Sequence, residues 1–389
     1  MLSVPSIDGN AMKITIVMGF FLPMPPAAGG ATEKSWHGLA REFVQRGHDV
    51  TVISRSWPGW PEEETIAGVR YVRLPGFDHT PRLRTNLWRD LRWSWRVWWR
   101  LPAADVTIVN CITLPVLLGW IRKRAGRIAV MTGRTPKGQY HLYRRIDHVL
   151  AVSSPVADAI RRENPTLAQR SVIVGYPIAC AQLDGTRPVD DTAPVTLGYV
   201  GRLHKEKGLE LLAAAAALLA QRSDLPPWRL VLSGPSDIAR GGSGPEFLAK
   251  LQSQLSRALP ADRFAILPAA FDPAALAQRY REIDLFCYPS LAEHGETFGV
   301  AVAEAMAAGA VPVVSALSCF EDFVQHRRNG IVFDHRAPDA PQRFADALAP
   351  LITDSTRRRS LAGKAKTEVQ RYDFPRLADR LLDVFSPLK

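Results

Sequence analysis

Residues 284–309 constrain this chain more than any other stretch. Asp284-Leu285-Phe286-Cys287-Tyr288-Pro289-Ser290 reads as a buried strand that stops at a proline. A short loop then leads into Glu296-Thr297-Phe298-Gly299-Val300-Ala301-Val302-Ala303-Glu304-Ala305-Met306-Ala307-Ala308-Gly309. That run is an acid and a loop glycine followed by a small-apolar helix with a second acid inside it. A carboxylate among Val, Ala and Met requires a polar partner. The spacing places Glu296 on the entry loop and Glu304 about one turn into the helix. Between them lie the N–H groups of a helix N-terminus, which suit an anionic or hydroxyl-rich ligand. In open α/β sheets, ligands bind where these acids fall, at the carboxyl ends of the strands.

A second strand–loop–helix has the same form. Val195-Thr196-Leu197-Gly198-Tyr199-Val200 runs into Gly201-Arg202-Leu203-His204-Lys205-Glu206-Lys207-Gly208, and a helix follows over Leu209 to Ala220. Gly201 lets the backbone turn tightly at the strand end. Arg202 and Lys207 place two cations at the mouth of the helix, an arrangement suited to a diphosphate. Near the amino terminus, Met12-Lys13-Ile14-Thr15-Ile16-Val17 reads as a strand, followed by a Pro/Gly loop that includes Gly29 and Gly30. Thr32 is a candidate N-cap for the amphipathic run Trp36 to Phe43, and Gly47-His48-Asp49 leads to a second strand, Val50-Thr51-Val52-Ile53. Together these make a βαβ unit. Gly241-Gly242-Ser243-Gly244 lacks the preceding strand and lysine of a phosphate loop and reads as a flexible connector.

These residues carry a resemblance. Pro289-Ser290, Glu296-x-Phe298-Gly299, Glu304-Ala305-Met306-Ala307-x-Gly309, Val313-Val314 and the earlier Gly-Arg-x4-Lys-Gly are similar to the signature of the family-4 retaining glycosyltransferases of GT-B fold. The resemblance implies an α/β chain of two Rossmann-like domains whose parallel sheets face across a cleft. It also implies transfer of a sugar from a nucleotide diphosphosugar to an acceptor hydroxyl, with retention at the anomeric carbon. By position, Glu304 binds the ribose hydroxyls and Glu296 the transferred sugar. The N–H groups of Phe298, Gly299 and Val300 line the same pocket. Gly201, Arg202 and Lys207 hold the phosphates, Ser233-Gly234 borders them, and Gly29-Gly30 faces them from the first domain. No cofactor and no metal are expected: the chain has no Asp-x-Asp, and the two cations can neutralise the leaving diphosphate. Many relatives carry a histidine after the strand matching Val106-Thr107-Ile108-Val109, where this chain has Asn110, then Cys111. Asparagine can hydrogen-bond a sugar but cannot shuttle a proton. His79 and, less directly, His294 are the candidates to replace it.

A length of 389 residues fits two domains. The expected division is 1–185, a proline-bearing linker over 186–194, and a donor domain over 195–370. By resemblance, a final helix within 371–389 returns to the first domain. Cys111, Cys180, Cys287 and Cys319 are scattered, which suits a reducing cytoplasm and neither a zinc site nor a disulfide framework. No apolar run reaches the length of a membrane span, and residues 1–11 lack the character of a signal peptide. The net charge of +11 calls for an anionic partner, and no nucleic-acid motif accompanies it. The charge concentrates in residues 81–100. Wound as a helix, Trp88, Leu91, Trp95, Trp98 and Trp99 form one stripe, with Arg89, Arg92, Arg96 and Arg100 beside it. That pattern fits an anionic membrane surface; it also fits a core-facing helix with its arginines in water. The readings are therefore a transferase at the inner face of the cytoplasmic membrane acting on a glycolipid, lipid-linked glycan or lipopolysaccharide core, the same chemistry on a soluble acceptor, and an inactive nucleotide-sugar-binding scaffold.

Overall fold

The computed structural model describes residues 11–27, 29–185 and 193–386. They form two compact units: Met1–Pro177 with Phe374–Lys389, and Ile178–Asp373.

The first unit contains β1 (Lys13–Val17), α1 (Ala31–Gln45), β2 (Asp49–Arg55), β3 (Glu63–Ile66), β4 (Val69–Leu74) and α2 (Leu83–Arg100). It continues through β5 (Val106–Val109), α3 (Leu114–Leu118), α4 (Arg122–Ala125), β6 (Arg127–Thr132), β7 (His148–Ala151), α5 (Ser154–Glu163) and β8 (Ser171–Ile173). The strands form one sheet in the order β3-β4-β2-β1-β5-β6-β7-β8. Its central strands are almost continuous runs of buried Val and Ile, as a sheet covered on both faces requires. Only β3 runs antiparallel, hairpinned onto β4 through Ala67-Gly68, both at positive φ. This hairpin is absent from the motif-led reading: Glu63-Glu64-Thr65-Ile66 shows no polar–apolar alternation to mark its edge strand. Helix α1 begins at Ala31 with Gly30 as its N-cap, so Thr32 lies inside the first turn and is not the cap.

The second unit contains α6 (Cys180–Leu183), β9 (Val195–Val200), α7 (Leu209–Ala220), β10 (Trp228–Ser233), α8 (Pro245–Ala258), β11 (Phe264–Leu267) and α9 (Pro273–Arg281). Then come β12 (Leu285–Tyr288), α10 (Val300–Ala307), β13 (Val311–Ser315), β14 (Ile331–Phe333), α11 (Ala340–Thr353) and α12 (Ser355–Val369). Its sheet is wholly parallel, in the order β11-β10-β9-β12-β13-β14. The last helix, α13 (Phe374–Phe385), belongs to the first unit. It buries Leu377, Ala378, Leu381 and Phe385, and Arg46 of α1 pairs with Asp379 at 2.5 Å.

The unit boundary differs from the expected one. Residues 178–185 belong to the second unit and not the first. The Ile178 amide donates to the Tyr372 carbonyl at 2.8 Å and the Cys180 amide to Asp373 at 3.1 Å. Arg281 reaches the carbonyls of Gln182 and Leu183. Most of the expected linker, 186–192, lies outside the described residues.

Candidate donor site and the family of the chain

Strand order selects the site. From β9 the chain moves outward on one side through β10 and β11, then crosses to the other side for β12, β13 and β14. The crevice at the carboxyl ends of β9 and β12 is therefore a topological switch point, where doubly wound sheets bind ligands. The Arg202–Lys207 loop leaves β9 there, and the Glu296 loop leaves β12. Two motifs some ninety residues apart in sequence thus emerge side by side.

Close backbone approach locks them together. A side chain on Gly208, at φ 68°, would strike the Pro289 carbonyl oxygen, so only glycine fits. The Leu291 amide donates to the Glu206 carbonyl at 2.8 Å. Likewise a Cβ on Gly234 would collide with the Gly201 carbonyl, which brings the loop after β10 against the loop after β9. Ser233 is buried, and its hydroxyl donates to the Pro268 carbonyl at 3.2 Å.

The charged groups are already paired. Lys207 is buried, with Nζ 2.7 Å from Glu296 Oε2 and 5.4 Å from the centre of the Tyr288 ring. Tyr288 Oη at 3.0 Å and Ser290 Oγ at 3.3 Å donate to that same oxygen. Arg202 is half exposed; it pairs with Glu206 at 2.9 Å and donates to the Gly241 carbonyl at 2.9 Å. Residues 241–244 are therefore no loose connector. The Ser243 amide donates to Leu203 O, and its hydroxyl accepts from the Lys205 amide, both at 3.0 Å. Sequence reasoning missed these contacts because the loop lacks phosphate-loop spacing.

Glu304 lies one turn into α10. The sequence leaves its carboxylate waiting for a ligand, but the fold supplies a partner of its own: Tyr280 Oη on α9 donates to it at 2.7 Å. Phe298 is a core side chain, packed against Phe323 and Tyr372 with ring centres 5.0 and 5.1 Å away. Gly299, at φ 87°, starts α10, and no side chain caps that helix before Val300. The loop is braced from the turn after β14, where His335 Nε2 and Arg336 lie 2.9 and 2.7 Å from Glu293. Arg336 first, with help from His335, holds the Glu293 carboxyl below its ordinary range. His294 sits in the same exposed turn.

The first unit holds the remaining candidates. Gly29 and Gly30 take φ values of 82° and 94°. Asn110 is built into the fold: its Oδ1 accepts from Trp36 Nε1 at 2.7 Å and its Nδ2 donates to the Val17 carbonyl at 3.0 Å. Both ends of the amide thus have a structural partner, which fixes the orientation of the side chain. His79 is exposed, 3.3 Å from the Asn86 side chain and edge-on to Phe21.

Helix α2 buries Asp90, Trp93, Ser94 and Val97. Trp93 anchors it by donating to the Met18 carbonyl at 3.0 Å. Asp90 accepts from the amides of Ile112 and Thr113 at 3.3 and 2.7 Å, tying α2 to the start of α3. The tryptophan stripe does not pack inward: Trp88, Trp95 and Trp99 are 60%, 52% and 62% exposed, and Trp98 is half-buried. The arginines divide. Arg89 and Arg96 donate to the carbonyls of Asp78 and Pro75, and both lie near the Phe77 ring with Arg92. Arg92 and Arg100 remain exposed.

Comparison with known families assigns both halves. Residues 28–178 match the model described as Glycosyltransferase Family 4, and residues 187–368 match Glycosyl transferases group 1. The chain belongs to the GT-B glycosyltransferases of these two families. This GT-B glycosyltransferase is 31% identical to a D-inositol 3-phosphate glycosyltransferase of Corynebacterium urealyticum over 49% of this chain and 43% of that one. The chain spans about half the length of the curated relatives it matches. Sucrose-phosphate synthase from Thermosynechococcus elongatus shares the fold at TM-score 0.73 and 19% identity, over 96% of this chain and 98% of that one. HepE of Anabaena, solved with UDP and glucose, does so at TM-score 0.68 and 19% identity, over 97% and 100%. Each unit of this GT-B glycosyltransferase is thus a Rossmann-like domain. Among the described residues, no helix is long and apolar enough to cross a membrane.

Proposed function

We propose that the chain transfers a sugar, with retention, from a nucleotide diphosphosugar to a hydroxyl of a membrane-borne acceptor. The observation that carries the donor half is the switch-point constellation. Lys207 sits beside Glu296 and Arg202 beside Glu206, and among the described residues the protein's side-chain hydrogen bonds to Glu296 all converge on Oε2. Its Oε1 is left to accept from sugar hydroxyls. Glu304 binds the ribose, and Arg202 and Lys207 stabilise the departing diphosphate in place of a metal. The acceptor oxygen bonds to the anomeric carbon as the bond to the diphosphate breaks, and the departing phosphate oxygen takes the acceptor proton. Neither Asn110 nor His79 is required as a base in this scheme. The fold shared with a UDP- and glucose-bound protein supports the donor class.

Thermal-shift screening against UDP-, GDP- and ADP-sugars tests the reading. A ligand at about 100 times its dissociation constant stabilises the folded protein by about 2.7 kcal/mol. No shift with any donor, or turnover abolished by EDTA, overturns the metal-free donor site. Release of free nucleoside diphosphate distinguishes the enzyme from an inactive scaffold.

The membrane half rests on exposed apolar surface beside cations. Most of the large apolar side chains left exposed lie on α2 and on neighbouring segments near α3: Leu83, Leu87, Trp88, Leu91, Trp95 and Trp99, with Ile112, Val116, Trp120 and Leu142. Trp120, 73% exposed, lies just past α3, with Arg122 and Lys123 following it. Tryptophan favours the headgroup level, and a cation near anionic lipid adds about 1 kcal/mol. Sedimentation with phosphatidylglycerol vesicles at low salt should bring the protein down, while phosphatidylcholine vesicles should not. If neither vesicle binds, the acceptor is soluble and α2 serves its own domain.

A further inference from the structure

Under the donor site four aromatic rings follow one another. Tyr199, Tyr288, Phe286 and Tyr280 have successive centroid separations of 5.7, 5.8 and 5.9 Å. All four are buried. Their hydroxyls end on the donor-site residues themselves. Tyr280 meets Glu304 at 2.7 Å, Tyr288 meets Glu296 at 3.0 Å, and Tyr199 donates to the Arg202 carbonyl at 2.8 Å. A buried phenol needs one acceptor, and a backbone carbonyl would serve without burying charge. Using both site carboxylates instead adds an oriented partner to two side chains whose terminal torsions are broad. Burial first, and then the neighbouring carboxylates, raise both phenol pKa values, so each remains a protonated donor.

We propose that Tyr280 and Tyr288 are positioning residues that set Glu304 and Glu296 in their donor-binding rotamers before the nucleotide sugar arrives. The proposal rests on the roles given to those two carboxylates above. Catalytic groups gain most when supporting contacts hold them in place in advance. The ring series gives the two phenols a shared support, with Phe286 between them. Each phenol acts on a different part of the donor, so their removal has separable effects.

The test uses the full chain and the conservative variants Tyr280→Phe and Tyr288→Phe, which keep every ring. Calorimetry with UDP, GDP and ADP reads nucleotide affinity, and hydrolysis of UDP-, GDP- and ADP-glucose reads turnover. Loss of one hydrogen bond to a charged group corresponds to about ten- to a hundredfold. Tyr280→Phe should weaken nucleoside diphosphate binding by that factor and leave kcat close to wild type. Tyr288→Phe should lower kcat by that factor and leave nucleoside diphosphate affinity unchanged. Glu304→Ala and Glu296→Ala run beside them as controls. Impaired alanine variants beside wild-type phenylalanine variants overturn the positioning role alone. Alanine variants that bind and turn over normally overturn the donor assignment and the proposal with it. Phenylalanine variants that lose affinity and turnover together, in step with a lowered Tm, assign the phenols to stability and also overturn it.

Discussion

Lys207 and Glu296 neutralise each other in the unliganded site, each with about a tenth of its side chain exposed. Removing either partner leaves a largely buried charge without its counter-charge. Breaking such a pair costs about 3–5 kcal/mol. Lys207→Ala should therefore lower both turnover and Tm, whereas Arg202→Ala, half exposed and held by Glu206, should lower turnover with little thermal effect. Turnover in each should fall by about a hundredfold or more, the scale of one preorganised charge stabiliser. Single-turnover kinetics and calorimetric melting separate the two, and equal melting losses would contradict the burial argument. Glu304→Ala should weaken nucleoside diphosphate binding. Because it strands the Tyr280 hydroxyl, it should also cost about 1–3 kcal/mol of stability without ligand. Melting the apo variant measures this directly.

At the scale of elements, the Glu296 loop is braced by the turn that follows β14. Glu293 has a folded pKa below its unfolded one, through Arg336 and His335. That ordering contributes stability above the unfolded carboxyl value, lost as pH falls through the lower folded value. Glu293→Gln should therefore flatten the acid limb of the stability curve below about pH 5, where carboxylates begin to protonate. An acid limb identical to wild type would detach Glu293 from the loop. What was legible in sequence follows the same division. Strands written as continuous Val/Ile/Leu runs and loops fixed by glycine were readable, because sheet burial and Cβ-free contacts restrict residue type. The β3–β4 hairpin, the tie from residues 241–244 to Arg202 and the Tyr280–Glu304 bond were not. Each joins residues through tertiary contact at positions where many residue types could stand. For α2 the periodicity was correct about the two stripes but silent on anchoring, which falls to Trp93 and Asp90 between them.

At the scale of the whole molecule, charge and exposed aromatic surface concentrate on the first unit's α2–α3 side. Trp88, Trp95, Trp99 and Trp120 changed together to serine should abolish sedimentation with anionic vesicles and preserve donor hydrolysis, since the donor motifs lie in the other unit. Arg92→Gln with Arg100→Gln should weaken vesicle binding by about tenfold or more and reduce its salt dependence, at about 1 kcal/mol per cation. Vesicle binding untouched by either set would remove α2 from the membrane reading.

Ile178 and Asp373 pair in a parallel bridge. The second unit begins and ends on these two bridged residues, and the first unit resumes at Phe374. It is therefore an insert with both junctions at one place. On the function proposed above, residues 178–373 carry the donor-site motifs as one unit. A graft of residues 178–373 into a relative should therefore carry its nucleotide preference with it, measured as the change in the host's relative affinities for UDP, GDP and ADP.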